Sequence, residues 1–172
     1  HASHNAGVAK ILSRCKMVGA PRYTKREIWG WLGKIKDPEI PVISLVDLGV
    51  VRDVAINAEI VEVVITPTYI GCPATSAIKD EIKAELTRRG VRKLSLITKL
   101  VPAWTTEWIS ERGAKKLEEY GIAPPNGKKG PDNCPQCGSM DVDRVSQFGS
   151  TPCKAQWRCL SCLEPFEFFK CI

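Results

Sequence analysis

Two cysteine pairs constrain this chain more than anything else in it. Cys134-Pro-Gln-Cys137 and Cys159-Leu-Ser-Cys162 are both C-x-x-C, with 21 residues between them. Each pair presents two sulfurs from one tight turn, so together they can close a tetrahedral thiolate cage around one Zn²⁺. Gly138 follows the first pair directly and suits a turn that needs positive φ. A segment as short as 132–172 buries too little surface to fold unaided. It therefore reads as a zinc ribbon that folds on metal, with strands near Val142–Phe148, Ala155–Arg158 and Pro165–Lys170.

Eight cysteines could also mean a disulfide scaffold, but six of the eight lie beyond residue 133 and four of those form the pairs. In a chain that reads as cytoplasmic, this pattern is the mark of metal. The cytoplasmic reading rests on two expectations: no run approaches the length of a membrane span, and no signal-length apolar run follows Lys10, Arg14 and Lys16. Cys153 and Cys171 lie near the ribbon but outside its pairs. Spare thiols, a second soft-metal site and a disulfide all remain open for them.

Before the ribbon, the pattern alternates helix and strand. Thr24-Lys-Arg-Glu27 is a capping box, followed by Ile28, Trp31, Leu32 and Ile35 on one helical face. Asp37-Pro38 ends that helix. Val50–Ile56 and Ile60–Thr66 are β-branched strands around a turn at Asn57-Ala58. A helix from Pro73 to Arg89 buries Ile78, Ile82 and Leu86 and stops at Gly90. Val91–Val101 is a further strand, and Trp104–Tyr120 reads as helical. The fold class is thus α+β, a small α/β sandwich domain, followed by an all-β zinc ribbon. The expected divisions are a basic segment at 1–22, the α/β domain at 23–123, a Pro/Gly linker at 124–131 and the ribbon at 132–172.

Charge placement narrows the function. Residues 1–36 carry eight Lys/Arg and one Glu, while residues 37–172 carry 17 Lys/Arg and 18 Asp/Glu. The basic excess belongs to the N-terminal segment, and its simplest role is that of a solvated tail. The ribbon holds four Lys/Arg and five Asp/Glu, which counts against docking on nucleic acid. Histidine occurs only at positions 1 and 4, leaving no credible triad or histidine base. No E-x-x-H pair is present for a di-iron centre.

Cys72 is the outlying thiol of interest. It stands before Pro73 at the mouth of a helix, which would place it at N-cap, where the helix dipole favours a thiolate. Gly71 beside it allows close backbone approach. The alternative is a small buried hydrophobe. Asp37 and Glu39 straddle Pro38 and could offer oxygen ligands or cap nearby amides; Asp47, before Leu48-Gly49, is a similar candidate.

Asp37-Pro38-Glu39-x-Pro41, Asp47-Leu48-Gly49, Thr66-Pro67-Thr68 and Gly71-Cys72-Pro73 resemble, in order and spacing, the metal–sulfur cluster biosynthesis domain family over about residues 24–105. With Thr151-Pro152-Cys153-Lys154-Ala155 and the ending Glu164 to Cys171, the resemblance extends over 24–172 to the family of D subunits of bacterial phenylacetyl-CoA epoxidases. It implies a non-catalytic accessory subunit of aerobic phenylacetate degradation that helps assemble an iron–sulfur or metal centre. It also implies partners: the di-iron oxygenase and the iron–sulfur flavoprotein reductase. On the family pattern Cys72 is the reactive thiolate, Asp37 and Glu39 share its site, and iron or a transient iron–sulfur cluster joins the structural zinc. A homo-oligomer or a complex with those components is expected, because so small a chain without a catalytic constellation needs a client. Two other classes stay in view: a zinc-ribbon module docking on a large complex or nucleic acid, and a Cys72-dependent thiol enzyme.

Overall fold

The computed structural model describes residues 22–170. The readings made for the basic N-terminal segment and for Cys171 fall almost wholly outside that range. Helix α1 (Lys25–Leu32) opens with both bonds of its capping box: Glu27 N–H donates to Thr24 Oγ1 at 3.2 Å, and Thr24 N–H to Glu27 Oε2 at 2.7 Å. Its apolar face buries Ile28 and Leu32.

Strands β1 (Val51–Asn57) and β2 (Ile60–Ile65) form an antiparallel hairpin. The turn falls on Ala58-Glu59, one residue later than the sequence predicts, with Ala58 in the left-handed region at φ 55. Helix α2 (Ala74–Arg88) crosses back so that β3 (Lys93–Thr98) pairs parallel with β2, giving the order β1-β2-β3. Ile78, Ile82 and Leu86 are the buried stripe of α2, and Gly90 follows its end at φ 92.

The expected Trp104–Tyr120 helix is two pieces. A single 3-10 turn covers Thr106–Trp108, and α3 spans Glu111–Glu119. The break is at Ile109, whose backbone is extended, and at Ser110, whose side chain caps Gly113 N–H at 3.0 Å. A serine hydroxyl at that point starts a new helix instead of continuing an old one.

The ribbon strands are β5 (Val142–Ser146), β6 (Lys154–Cys159) and β7 (Pro165–Phe169). A two-residue strand, β4 (Ile122–Ala123), pairs parallel with β7, so the second sheet has the order β4-β7-β6-β5. Alternation along β7 faces two ways. Phe166 and Phe168 pack with Cys134 and Cys159 in the ribbon's own cluster. Phe169 and Cys153 join the large core of the α/β unit, where the Phe169 ring lies 5.8 Å from that of Trp104. No helix among the described residues is long and apolar enough to cross a membrane.

Candidate metal centres

The ribbon brings Cys134, Cys137, Cys159 and Cys162 together with all four sulfurs within 4.8 Å of one another. The shortest recorded separations are 3.8 Å between Cys134 and Cys162 and 3.6 Å between Cys137 and Cys159. A tetrahedral site with Zn–S near 2.3 Å requires sulfurs about 3.8 Å apart, so the quartet fits Zn²⁺. Backbone geometry prepares the cage. Gly138, at φ 76, turns the first pair back, and its N–H donates to the Cys134 carbonyl at 2.9 Å. The N–H groups of Cys162 and Ser161 both point at Cys159 Sγ at 3.4 Å and pull that thiol down to about 6.

The second constellation is assembled from four chain segments. Cys72 sits on a turn over Tyr69-Ile70-Gly71-Cys72, closed by Cys72 N–H to the Tyr69 carbonyl at 3.3 Å. Gly71 takes φ 80 there, the position in such a turn that needs glycine. Pro73 already has helical dihedrals and is itself the N-cap of α2, so Cys72 lies one residue before the N-cap and does not occupy it as the sequence reading expected. The Cys72 carbonyl still accepts from Thr75 N–H at 3.1 Å.

Cys72, Asp37 and Glu39 line one small cavity, with Pro67, Thr68, Ile78 and, from the ribbon, Cys153 and Phe169 among its other walls. Asp37 is nearly buried. Its Oδ1 accepts from the N–H groups of Glu39 and Ile40, both at 2.9 Å, so one oxygen holds the turn that positions Glu39. Burial pushes the Asp37 carboxyl above its usual range, and burial together with the Asp37 charge does the same to Glu39. Lys154, at the start of β6, acts in the opposite sense on both. Burial, then the neighbouring Cys72 thiol, pushes the Tyr69 hydroxyl up to about 12.

Asp47 stands apart from this cavity. Oδ1 accepts from Ser110 Oγ at 2.9 Å and from Arg112 at 2.7 and 3.0 Å, and Oδ2 from Lys116 at 3.1 Å. It fastens α3 to the core and is not brought to the cavity. The residues that sequence reasoning left unassigned are Cys153, which comes to the cavity from the ribbon, and Lys154 beside it, whose ammonium is paired with Glu167. Their only sequence signal is the run Thr151-Pro152-Cys153-Lys154.

Comparison with known proteins matches two stretches of the chain. Residues 25–91 match the family model described as iron-sulfur cluster assembly protein, and residues 123–170 match the PaaD zinc beta ribbon domain. The chain is 45% identical over 152 residues to the Escherichia coli (strain K12) protein named as the D subunit of 1,2-phenylacetyl-CoA epoxidase, covering 85% of this chain and 92% of that one. This chain belongs to the family of phenylacetyl-CoA epoxidase D subunits. Its first unit is also similar, at 33% identity over 88 residues, to a Bacillus subtilis (strain 168) Fe-S protein maturation auxiliary factor, YitW. That match covers 50% of this chain and 85% of the other. A solved domain of unknown function, DUF59, from Bacillus anthracis superposes with TM-score 0.51 at 26% identity, over 54% of this chain and 90% of that one. The fold is therefore the α+β architecture expected, followed by a zinc ribbon, and the cysteine quartet is its structural zinc site.

Proposed function

We propose that this member of the D-subunit family is an accessory factor of the phenylacetyl-CoA epoxidase system in aerobic phenylacetate degradation, helping to assemble an iron–sulfur or other metal centre in a partner component. Cys72 supplies the thiolate that takes and releases the cargo, and Asp37 and Glu39 supply neighbouring oxygens. The observation that carries this reading is the convergence of those three side chains on one cavity. A thiolate flanked by carboxylates binds metal without a resident cofactor, and ligand exchange at sulfur passes the cargo on. Burial raises both the Asp37 and Glu39 carboxyls, and a cation entering the cavity would offset that penalty together with the repulsion Asp37 exerts on Glu39.

The zinc ribbon has a structural part in this scheme. It closes the cavity with Cys153 and Phe169 and leaves transfer to Cys72. The clients are the oxygenase and the iron–sulfur flavoprotein reductase of the system, met either by one chain or by a homo-oligomer. The chain itself is not the epoxidation catalyst, since its only histidines are His1 and His4.

The deciding experiment is growth on phenylacetate with Cys72→Ala in place of the wild type, together with metal and cluster content of the purified oxygenase and reductase. Loss of growth with under-loaded partners is the expected result. Full growth and full loading would reduce Cys72 to packing and end the proposal.

A further inference from the structure

Cys153 has no part in the zinc cage, yet among the described residues it is one of the most enclosed thiols, 3% exposed at the junction of the two units. Thr151 Oγ1 lies 3.0 Å from its sulfur, and Lys170 N–H donates to its carbonyl at 3.0 Å, which fixes it at the entrance to β6. On the other side it faces the α/β unit, where it shares the cavity with Cys72, Asp37 and Glu39. The next residue, Lys154, is equally enclosed; its ammonium is paired with Glu167, and its charge also acts on Asp37 and Glu39.

The cavity measures about 10 Å³. That is close to the space of one water-sized sphere. In this conformation the cavity has room for about one ion and not for a cluster of several iron and sulfide atoms. Its walls offer two sulfurs and two carboxylates. Thiolates select soft and borderline metals and carboxylates the harder ones, and a mixed set of this kind admits a borderline divalent ion, ferrous iron among them.

We infer that Cys153 is a second thiol ligand, and that Cys72 and Cys153 hold one thiophilic divalent cation, ferrous iron, between the two units with Asp37 and Glu39 alongside. The inference rests on the function proposed above for the role of that ion as cargo. On binding, two S–H bonds break, two metal–sulfur bonds form, and two protons leave to water; no electron changes hands. Two thiolates and two carboxylates carry more negative charge than one divalent ion neutralises, and Lys154, already paired with Glu167, offsets little of the remainder. Among the described residues, only the ribbon quartet has all its donor atoms within 4.8 Å. The Cys72–Cys153 set is wider and must draw in around an ion, as befits a site that also lets go.

The test titrates the zinc-loaded full chain with ferrous iron in the absence of oxygen, counts bound iron and zinc, and reads the iron's sulfur neighbours by X-ray absorption. One iron beyond the zinc, with two sulfur neighbours, is expected. Cys72→Ser and Cys153→Ser should each lose one sulfur neighbour and weaken iron binding tenfold or more with zinc content unchanged. If Cys72→Ser weakens binding and Cys153→Ser does not, Cys153 is no ligand and the proposed function stands without it. Should both variants bind as the wild type does, both readings fall. A second measurement covers misfolding of the Cys153 variant. Phenylarsine oxide joins two nearby thiols through arsenic with loss of one water, so the zinc-loaded wild type should yield a Cys72–Cys153 bridged peptide pair. Absence of that pair overturns the inference.

Discussion

Lys154 Nζ lies 2.5 Å from Glu167 Oε2 between neighbouring strands, with only 3% of the Lys154 side chain exposed. An enclosed ammonium needs a fixed counter-charge, and Glu167 supplies it. Burial works against the Glu167 carboxylate, but the Lys154 bond, helped by Ser150, holds its pKa below the usual range. Lys154→Met should therefore strand Glu167 and cost about 3 kcal/mol. Urea unfolding of the zinc-loaded protein reads this directly. A midpoint equal to that of the wild type would mean that the pair is screened by water.

Asp47 carries the acid sensitivity of the α/β unit. Burial opposes its ionisation, yet Arg112, Lys116, Ser110 and Ser44 hold its carboxyl far below the usual carboxylate range. A folded pKa below the unfolded one means stability that is fully present above the unfolded value of 3.8 and is lost as pH falls toward the folded one. Asp47→Asn should cost about 2 kcal/mol near neutrality, from charge-assisted hydrogen bonds on partly exposed partners. Its difference from the wild type should shrink below pH 4. Urea midpoints from pH 7 down to pH 3 test the sign; a gap that widens with acid would refute the assignment.

Gly49 of the Asp47-Leu48-Gly49 motif has φ +75, and a Cβ there would lie 2.5 Å from the Trp108 carbonyl oxygen. Backbone cannot yield as a flexible side chain can. Gly49→Ala should destabilise by about 3 kcal/mol, combining left-handed strain with the clash. Thermal melts compare it with Gly71→Ala, where φ is also positive but no atom lies within 4 Å. The second variant should lose less, and equal losses would mean that strain alone governs both.

Zinc removal should reach beyond the ribbon. Cys134→Ser is expected to abolish zinc binding and unfold residues 132–170 while the helical circular dichroism is largely retained. The remaining unit should also lose about 2 kcal/mol, because Phe169 leaves its core. A first-unit melt unaffected by Cys134→Ser would show that Phe169 contributes nothing there.

Periodicity and caps made most of the first unit readable. Thr24 and Glu27 form the bonds their spacing predicts, and Ile78, Ile82 and Leu86 are the buried stripe of α2. Asp47 looked like Asp37 in sequence, since a loop carboxylate carries no sign of whether cations or amides will meet it. Here Arg112 and Lys116 come from a helix far along the chain. β4 has two residues, too few to show any period, so its pairing with β7 was invisible. The company Cys72 keeps was half legible. Its spacing to Asp37 and Glu39 follows a family pattern, but Cys153 reaches it only because Phe169 and Cys153 turn toward the α/β core while Phe166 and Phe168 turn away.

Strand β6 begins at Lys154, beside the cavity, and ends at Cys159, inside the zinc cage. Five extended residues set these ends roughly 17 Å apart. The sulfurs of the zinc cage and the wall of the cavity are thereby kept on a fixed ruler. No single ion can be held by sulfurs from both ends at once, so the cage can be filled or emptied without its cysteines reaching into the cavity.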